Sequence, residues 1–164
     1  MIAIIDYDAG NTFNVQKALA YIGIDAVLTA DSATILNADG VLLPGVGAYA
    51  PAMAVLKERG LVDVIYEVVK REIPLLGICL GMQCIAIEFA RNVLGYPDAN
   101  SVEFNEKTPH NIIDIMEEQK AITNMGGTMR LGAFECIINK NSKAYQAYKQ
   151  EHIQERHRHR YEFN

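Results

Sequence analysis

The chain has 164 residues, half of them apolar, a formal net charge of −5 and an isoelectric point near 5.3. That length suffices to bury the core of one domain, and the acidic balance gives no electrostatic footprint for nucleic acid. Three cysteines, Cys79, Cys84 and Cys136, at unrelated spacings form neither a disulfide framework nor a paired metal motif, which suits a reducing, cytoplasmic setting.

Met1-Ile2-Ala3-Ile4-Ile5 is apolar, but it has no basic lead and meets Asp6 at once, so it reads as a first strand and not as a signal peptide or membrane span. After Gly10-Asn11, the residues Val15, Ala18, Leu19 and Ile22 fall at i, i+3, i+4 and i+7, which predicts a helix with one apolar face that Gly23 ends. Residues 26–28, 41–43 and 75–78 are short continuous apolar runs, the pattern of strands buried on both faces of a parallel sheet. Residues 56–69 hold further helix interrupted at Gly60, and residues 80–90 form a helix apolar on all sides. Strands alternating with helices predict right-handed βαβ crossovers and a three-layer α/β fold, a mostly parallel sheet flanked by helices, in one domain over residues 1–164. Beyond Gly95 the texture changes. Residues 112–116 precede a charged stretch, Gly126 to Gly132 lead into a strand ending near Ile138, residues 142–148 suggest a short helix, and residues 155–163 read as extended chain.

The most informative segment is Gly77-Ile78-Cys79-Leu80-Gly81-Met82-Gln83, directly after Pro74-Leu75-Leu76. Gly-x-Cys-x-Gly between a strand and a helix is the cysteine form of a nucleophile elbow, whose glycines allow the sharp turn. It lifts a thiol to the strand's carboxyl end, beside helix amides that favour thiolate and can stabilise an oxyanion. The loop Pro44-Gly45-Val46-Gly47 also follows a strand and falls on the same rim, where ligands of such sheets bind.

The elbow and the Pro-Gly loop together resemble the class I (triad-type) glutamine amidotransferases. Residues 1–83, through Ile4-Ile5-Asp6-Tyr7-Asp8-Ala9-Gly10-Asn11, the Pro-Gly-Val-Gly-Ala loop and Glu58-Arg59-Gly60-Leu61, are similar to the glutaminase subunit of imidazole glycerol phosphate synthase. Residues 77–164, through Glu88 to Gly95, Asn100-Ser101-Val102-Glu103-Phe104, Gly126 to Gly132 and Glu155 to Glu162, resemble the glutaminase domain of CTP synthase. The chain thus reads as two likenesses joined near residues 77–83, inside the element both share.

The resemblance implies that Cys79 attacks the carboxamide of L-glutamine, forming a thioester and releasing ammonia to a synthase partner. That partner is either the cyclase of histidine biosynthesis or a CTP synthetase domain. It implies that backbone amides among Gly45, Val46, Gly47 and Leu80 face the developing oxyanion, and that Gln83, Glu103, Arg160 and Tyr161 hold the glutamine. Glu103 suits an α-ammonium and Arg160 an α-carboxylate; the plain alternative for both is solvated surface charge. Cys84 and Cys136, outside any such setting, read as small core residues. The run Arg156-His157-Arg158-His159-Arg160 is too sparse in ligands for a metal site and too isolated for nucleic acid, and no cofactor is implied.

The family completes its site with a His-x-Glu element, which between Cys79 and Asn164 the sequence does not contain. A free thiol has a pKa near ~8.5 and positioned acid–base catalysis contributes roughly 10²–10⁴ in rate, so these 164 residues are expected to make a very poor glutaminase by themselves. None of His110, His152, His157 and His159 matches the family's histidine. A non-catalytic module that binds glutamine or a synthase surface, and a different α/β cysteine hydrolase, are the alternatives.

Overall fold

Strand β1 (Ile2–Ile5) lies between β2 (Ala26–Thr29) and β3 (Gly40–Gly45), and β3 pairs in turn with β4 (Leu75–Cys79), giving a parallel sheet of order β2-β1-β3-β4. This computed structural model describes residues 1–120, 130–159 and 161–164 and divides into two compact units, Met1–Ile112 and Ile113–Asn164. The four apolar runs of the sequence are these four strands. All six residues of β3 are buried, and Ala3, Ile4 and Ile5 of β1 are sealed from solvent.

Helix α1 (Thr12–Tyr21) starts where Asn11 accepts a hydrogen bond from the Asn14 N–H at 3.2 Å, and it stops at Gly23, whose φ of +77° suits a glycine. The apolar face expected to be buried is not: α1 has no buried residue, and Ala18 and Ile22 are exposed. The short helix α2 (Ser32–Leu36) escapes the apolar pattern because only Ile35 is buried; its sign is local, Asp31 capping the Thr34 N–H at 2.8 Å. Helix α3 (Tyr49–Glu58) begins seven residues before the expected one, since Pro51 in a first turn costs no hydrogen bond. Gly60, left-handed at φ +68°, separates α3 from α4 (Leu61–Lys70), as its position predicts. Helix α5 (Leu80–Asn92) follows β4 without a loop.

Two buried-face expectations fail along the same edge. Leu76 of β4 is 59% exposed and Phe89 of α5 51% exposed, because β4 is the last strand of this sheet among the described residues and has a neighbour on one side only. The first unit ends with a turn-rich segment that includes β5 (Asn100–Ser101), where the Asn100 N–H donates to the His110 carbonyl at 3.0 Å.

In the second unit β6 (Asn111–Ile115, counted from Ile113) pairs antiparallel with β9 (Tyr161–Phe163), and α6 (Glu117–Lys120) follows it. Strand β7 (Arg130–Ile137) and β8 (His152–His159) form a two-stranded antiparallel ribbon joined through α7 (Lys143–Tyr148), whose cap is Ser142. Residues 121–129, and with them most of the Gly126 to Gly132 element, lie outside the described residues, as does Arg160. Cys136 corrects an expectation: it is exposed on β7, which among the described residues belongs to a sheet of two strands only.

Candidate active site

Cys79 is both the last residue of β4 and the N-cap of α5, with φ +55° and ψ −118°. Positive φ is costly for any residue with a Cβ, of order 1–3 kcal/mol, and survives only where the surroundings fix it. Two glycines do the fixing. A Cβ on Gly77 would lie 2.6 Å from Met82 N and Cα, and one on Gly81 would fall on the Leu43 carbonyl oxygen, so α5 can press its first turn against β4 and β3 only with hydrogen at both positions. The turn leaves the Cys79 side chain exposed while Leu80 and Gly81 are buried.

Gly45, the end of β3, stands in register with Cys79. A Cβ there would sit 2.8 Å from the Gly81 nitrogen and 3.0 Å from the Leu80 Cβ, so the Pro44-Gly45 chain and the start of α5 are in close contact. The first amides of a helix have no intrahelical acceptor, and no side chain caps this one. Val46 and Gly47 continue into solvent, Gly47 at φ +87°, before α3 begins. The structure thus brings Cys79, Leu80 and Gly45 together and carries Val46 and Gly47 away from them along one loop. Exposed thiol, helix N-terminus and glycine loop are three of the parts that acyl transfer through a covalent thioester uses, an acid–base group being another.

Tyr7, just beyond β1 and fully buried, donates from its hydroxyl to the Pro44 carbonyl at 2.8 Å. Burial, with Cys84 and Cys79 nearby, pushes its pKa up to about 12. Outside it opens a cleft of about 710 Å³ whose walls include Tyr7, Asp8, Val46, Gly47, Glu58 and Arg59, with Arg59 paired to the Asp8 carboxylate. Cys84, on α5, is a different thiol from Cys79: burial, then Glu88, pushes it up to about 12, which makes it an inert core group.

Gln83 is half-buried one turn into α5. Glu103 lies on the turn after β5, where its N–H donates to the Ser101 hydroxyl at 3.3 Å and partial burial raises its carboxyl pKa. That turn is tied to the elbow helix by a cluster the sequence reading missed. Arg91 Nε donates to the Ala99 carbonyl at 2.8 Å, and its Nη1 reaches Glu88 at 2.8 Å and the Tyr49 hydroxyl at 3.1 Å, while the Tyr49 ring contacts Phe104 with centroids 5.8 Å apart. The i, i+3, i+4 spacing of Glu88, Arg91 and Asn92 was the available sign. Tyr161, paired with Ile115, belongs to the second unit, and Arg160 lies outside the described residues.

Among the described residues no three His, Cys, Asp or Glu side chains converge as metal ligands, and no helix is long and apolar enough to cross a membrane. The family model for class-I glutamine amidotransferases matches residues 3–164. The CTP synthase of Bacteroides fragilis is 79% identical over 95 residues, 58% of this chain and 18% of that protein. The CTP synthase of a Hydrogenobaculum species is 55% identical over 131 residues, 78% of this chain and 23% of that protein. The chain therefore spans about a fifth of the length of such curated relatives. The glutaminase domain of Trypanosoma brucei CTP synthase, solved with acivicin bound, superposes with a TM-score of 0.71 at 31% identity, covering 99% of this chain and 67% of that one. With the elbow, the glycine loop and the parallel sheet all in place, the chain belongs to the class-I glutamine amidotransferase family, with glutaminase domains of the CTP synthase type among its relatives.

Proposed function

We propose that Cys79 is the nucleophile of a glutaminase reaction and that the ammonia goes to a synthetase domain of the CTP synthase type, in cytoplasmic pyrimidine biosynthesis. Sulfur bonds to the carboxamide carbon, the carbonyl electrons move onto oxygen, and their return expels ammonia once the nitrogen is protonated, leaving a γ-glutamyl thioester that water converts to glutamate. The observation that carries the reading is the exposed Cys79 at φ +55°, in register with Gly45 and at the N-terminus of α5. Gly45, Val46, Gly47 and Leu80 supply the candidate oxyanion amides, and Gln83, Glu103, Arg160 and Tyr161 the candidate glutamine contacts.

The CTP synthase names of the relatives support that partner. The other partner that the resemblance implies, the cyclase of histidine biosynthesis, has no such support from them. Free Cys79, Cys84 and Cys136 suit a reducing compartment.

The proton for the leaving nitrogen requires an acid, which the family supplies from a His-x-Glu spacing that residues 80–164 do not contain. Added imidazole can stand in for it. Glutamate release from glutamine, with and without imidazole and in Cys79→Ala, tests the proposal: Cys79-dependent release stimulated by imidazole supports it. Saturable glutamine binding with no release under either condition instead supports a non-catalytic glutamine-binding module.

A further inference from the structure

Resting on the proposed glutaminase site, we infer that Arg91 is a positioning residue that acts through Glu103: it braces the turn carrying that carboxylate against α5, and so governs recognition of the substrate's α-ammonium without touching the chemistry at Cys79. Arg91 stands twelve residues along α5 from Cys79, about 18 Å at the rise of a helix, beyond reach of the reacting atoms. Glu103 is the group that wants a cation. Burial raises its carboxyl pKa, and among the described residues its side chain has neither a hydrogen bond nor an ion pair. A partly buried carboxylate without a partner is unfavourable by itself, and a ligand ammonium would satisfy it.

The turn is tied to itself first. Ser101, which is buried, accepts the Glu103 N–H on its hydroxyl at 3.3 Å and the Phe104 and Asn105 N–H groups on its carbonyl, each at 3.1 Å. Two contacts then fix this unit from outside, one on each side of Glu103, and both lead to Arg91. On the amino side Arg91 Nε donates to the carbonyl of buried Ala99 at 2.8 Å. On the carboxyl side the Phe104 ring leans on the buried ring of Tyr49, with centroids 5.8 Å apart, and the Tyr49 hydroxyl accepts from Arg91 Nη1 at 3.1 Å. Glu88, one turn earlier on α5, closes the cluster: its carboxylate accepts from Arg91 Nη1 at 2.8 Å and from the Tyr49 hydroxyl at 3.0 Å. A planar fork suits the task, because separate N–H groups reach Ala99 and the Tyr49–Glu88 pair at once. Tyr49 opens α3 directly behind the glycine loop, and Arg91 rides on the helix that starts at Cys79. One guanidinium therefore ties the Glu103 turn to the two elements that carry the rest of the proposed site.

The test uses two chloroketones on Cys79 of the intact chain; with each, sulfur bonds to the methylene carbon and chloride leaves. One is derived from glutamine and carries the α-ammonium, and the other has the same skeleton without the amino group. Half-saturating concentrations read recognition, and limiting rates read the chemistry at sulfur. For the amino-bearing reagent, Glu103→Gln is expected to raise the half-saturating concentration roughly tenfold, by loss of a charge-assisted contact, and Arg91→Ala roughly fivefold. The double variant is expected to match Glu103→Gln within about twofold, because Arg91 then has nothing to act through. The half-saturating concentration of the reagent without the amino group, and both limiting rates, are expected to hold within about twofold in all three variants. No rise in folded Arg91→Ala, a rise shared by both reagents, or additive effects in the double variant each overturn the role of Arg91 and leave the site reading standing. No rise in Glu103→Gln, beside saturable labelling of the unaltered chain, removes the Glu103 contact and the inference with it. Absence of saturable labelling in the unaltered chain overturns the glutamine-site reading itself. If Arg91→Ala opens the fold, seen as rapid labelling of buried Cys84, Arg91→Lys decides, since an ammonium keeps the charge but not the fork. A rise confined to the amino-bearing reagent then supports the inference, and unchanged values overturn it.

Discussion

The parallel sheet of the first unit and the β7–β8 ribbon of the second are both made of extended chain, yet they are held by different forces. Every residue of β3 is buried, and its neighbours approach so closely that glycine is required at positions 45, 77 and 81. The ribbon pairs eight residues with eight, but Ile137 is 68% exposed, Cys136 is open to solvent, and its side-chain contacts include surface pairs such as Glu135 with His152 and Glu155 with Tyr148. Close packing turns small changes into large costs, whereas exposed pairs gain little, because water competes for them. The elbow is built in the first environment, and that is why Cys79 can be held at a dihedral angle it would not choose.

The sharpest way to break the first environment is to add one methyl group. Gly81→Ala puts a Cβ on the Leu43 carbonyl oxygen, a backbone atom inside β3 that cannot swing aside. Overpacking typically costs 1–3 kcal/mol where side chains can yield, so a loss of about 3 kcal/mol or more is expected here. Pulse labelling of buried Cys84 during a urea titration reads the opening of this unit directly, and a midpoint equal to that of the unaltered chain would show that α5 is looser against β3 than the contact implies.

Raising the pH tests the same core through its protons. Tyr7 and Cys84 are both held near 12, against ordinary values of 10 and 9, chiefly by burial. The folded protein therefore binds these protons more tightly than the unfolded chain does. Their contribution is complete below about pH 9 and is lost as the pH rises toward about 12. Urea midpoints followed by far-UV circular dichroism should fall steeply across that window, and Tyr7→Phe should flatten the fall. A slope unaffected by the substitution would mean that Tyr7 ionises as freely in the fold as outside it.

The polar cluster around α5 is intermediate. Arg91 and Glu88 are about a quarter exposed, and Arg91 also supports Tyr49 and the Ala99 carbonyl. Arg91→Ala leaves these acceptors short of a partner, at a cost of about 1.5–3 kcal/mol. Arg91→Lys should recover only part of it, since an ammonium lacks the planar fork that reaches three groups at once. Full recovery by lysine would reduce the cluster to simple charge pairing. Because the Ala99 carbonyl and Phe104 flank the Glu103 turn, Arg91→Ala should also weaken glutamine binding if Glu103 contacts the substrate as proposed.

What the sequence made legible follows the same division. Where burial decides, apolar runs marked β1 to β4 and the start of α5, and the spacing of Gly77, Cys79 and Gly81 located the elbow. Coverage by neighbours was not legible: an apolar stripe such as Val15, Ala18, Leu19 and Ile22 records what a face could bury, while α1 presents it with no buried residue. The burial of the Tyr7 hydroxyl was invisible for another reason, since it is satisfied by a carbonyl 37 residues away that no spacing rule connects to it. In the second unit, the polar run over residues 155–163 indicated extended chain but not that it divides between β8, paired with β7, and β9, paired with β6, because exposed strands leave register weakly specified.

The ribbon supplies the smallest expected effect. His152 Nδ1 lies 2.8 Å from the Glu135 carboxylate, and both side chains are about 60% exposed. Such a pair trades one set of contacts for another with water, so Glu135→Gln should change stability by no more than roughly 0.5 kcal/mol, and added salt should erase even that. Amide exchange along residues 132–137 and 152–157 is the appropriate measurement, because a global melt would be dominated by the first unit. Protection that survives the substitution places the ribbon's cohesion in the backbone ladder between β7 and β8. Protection that collapses would mean that this side-chain pair fixes the register, and the contrast with the glycine-packed sheet would then be one of density alone and not of mechanism.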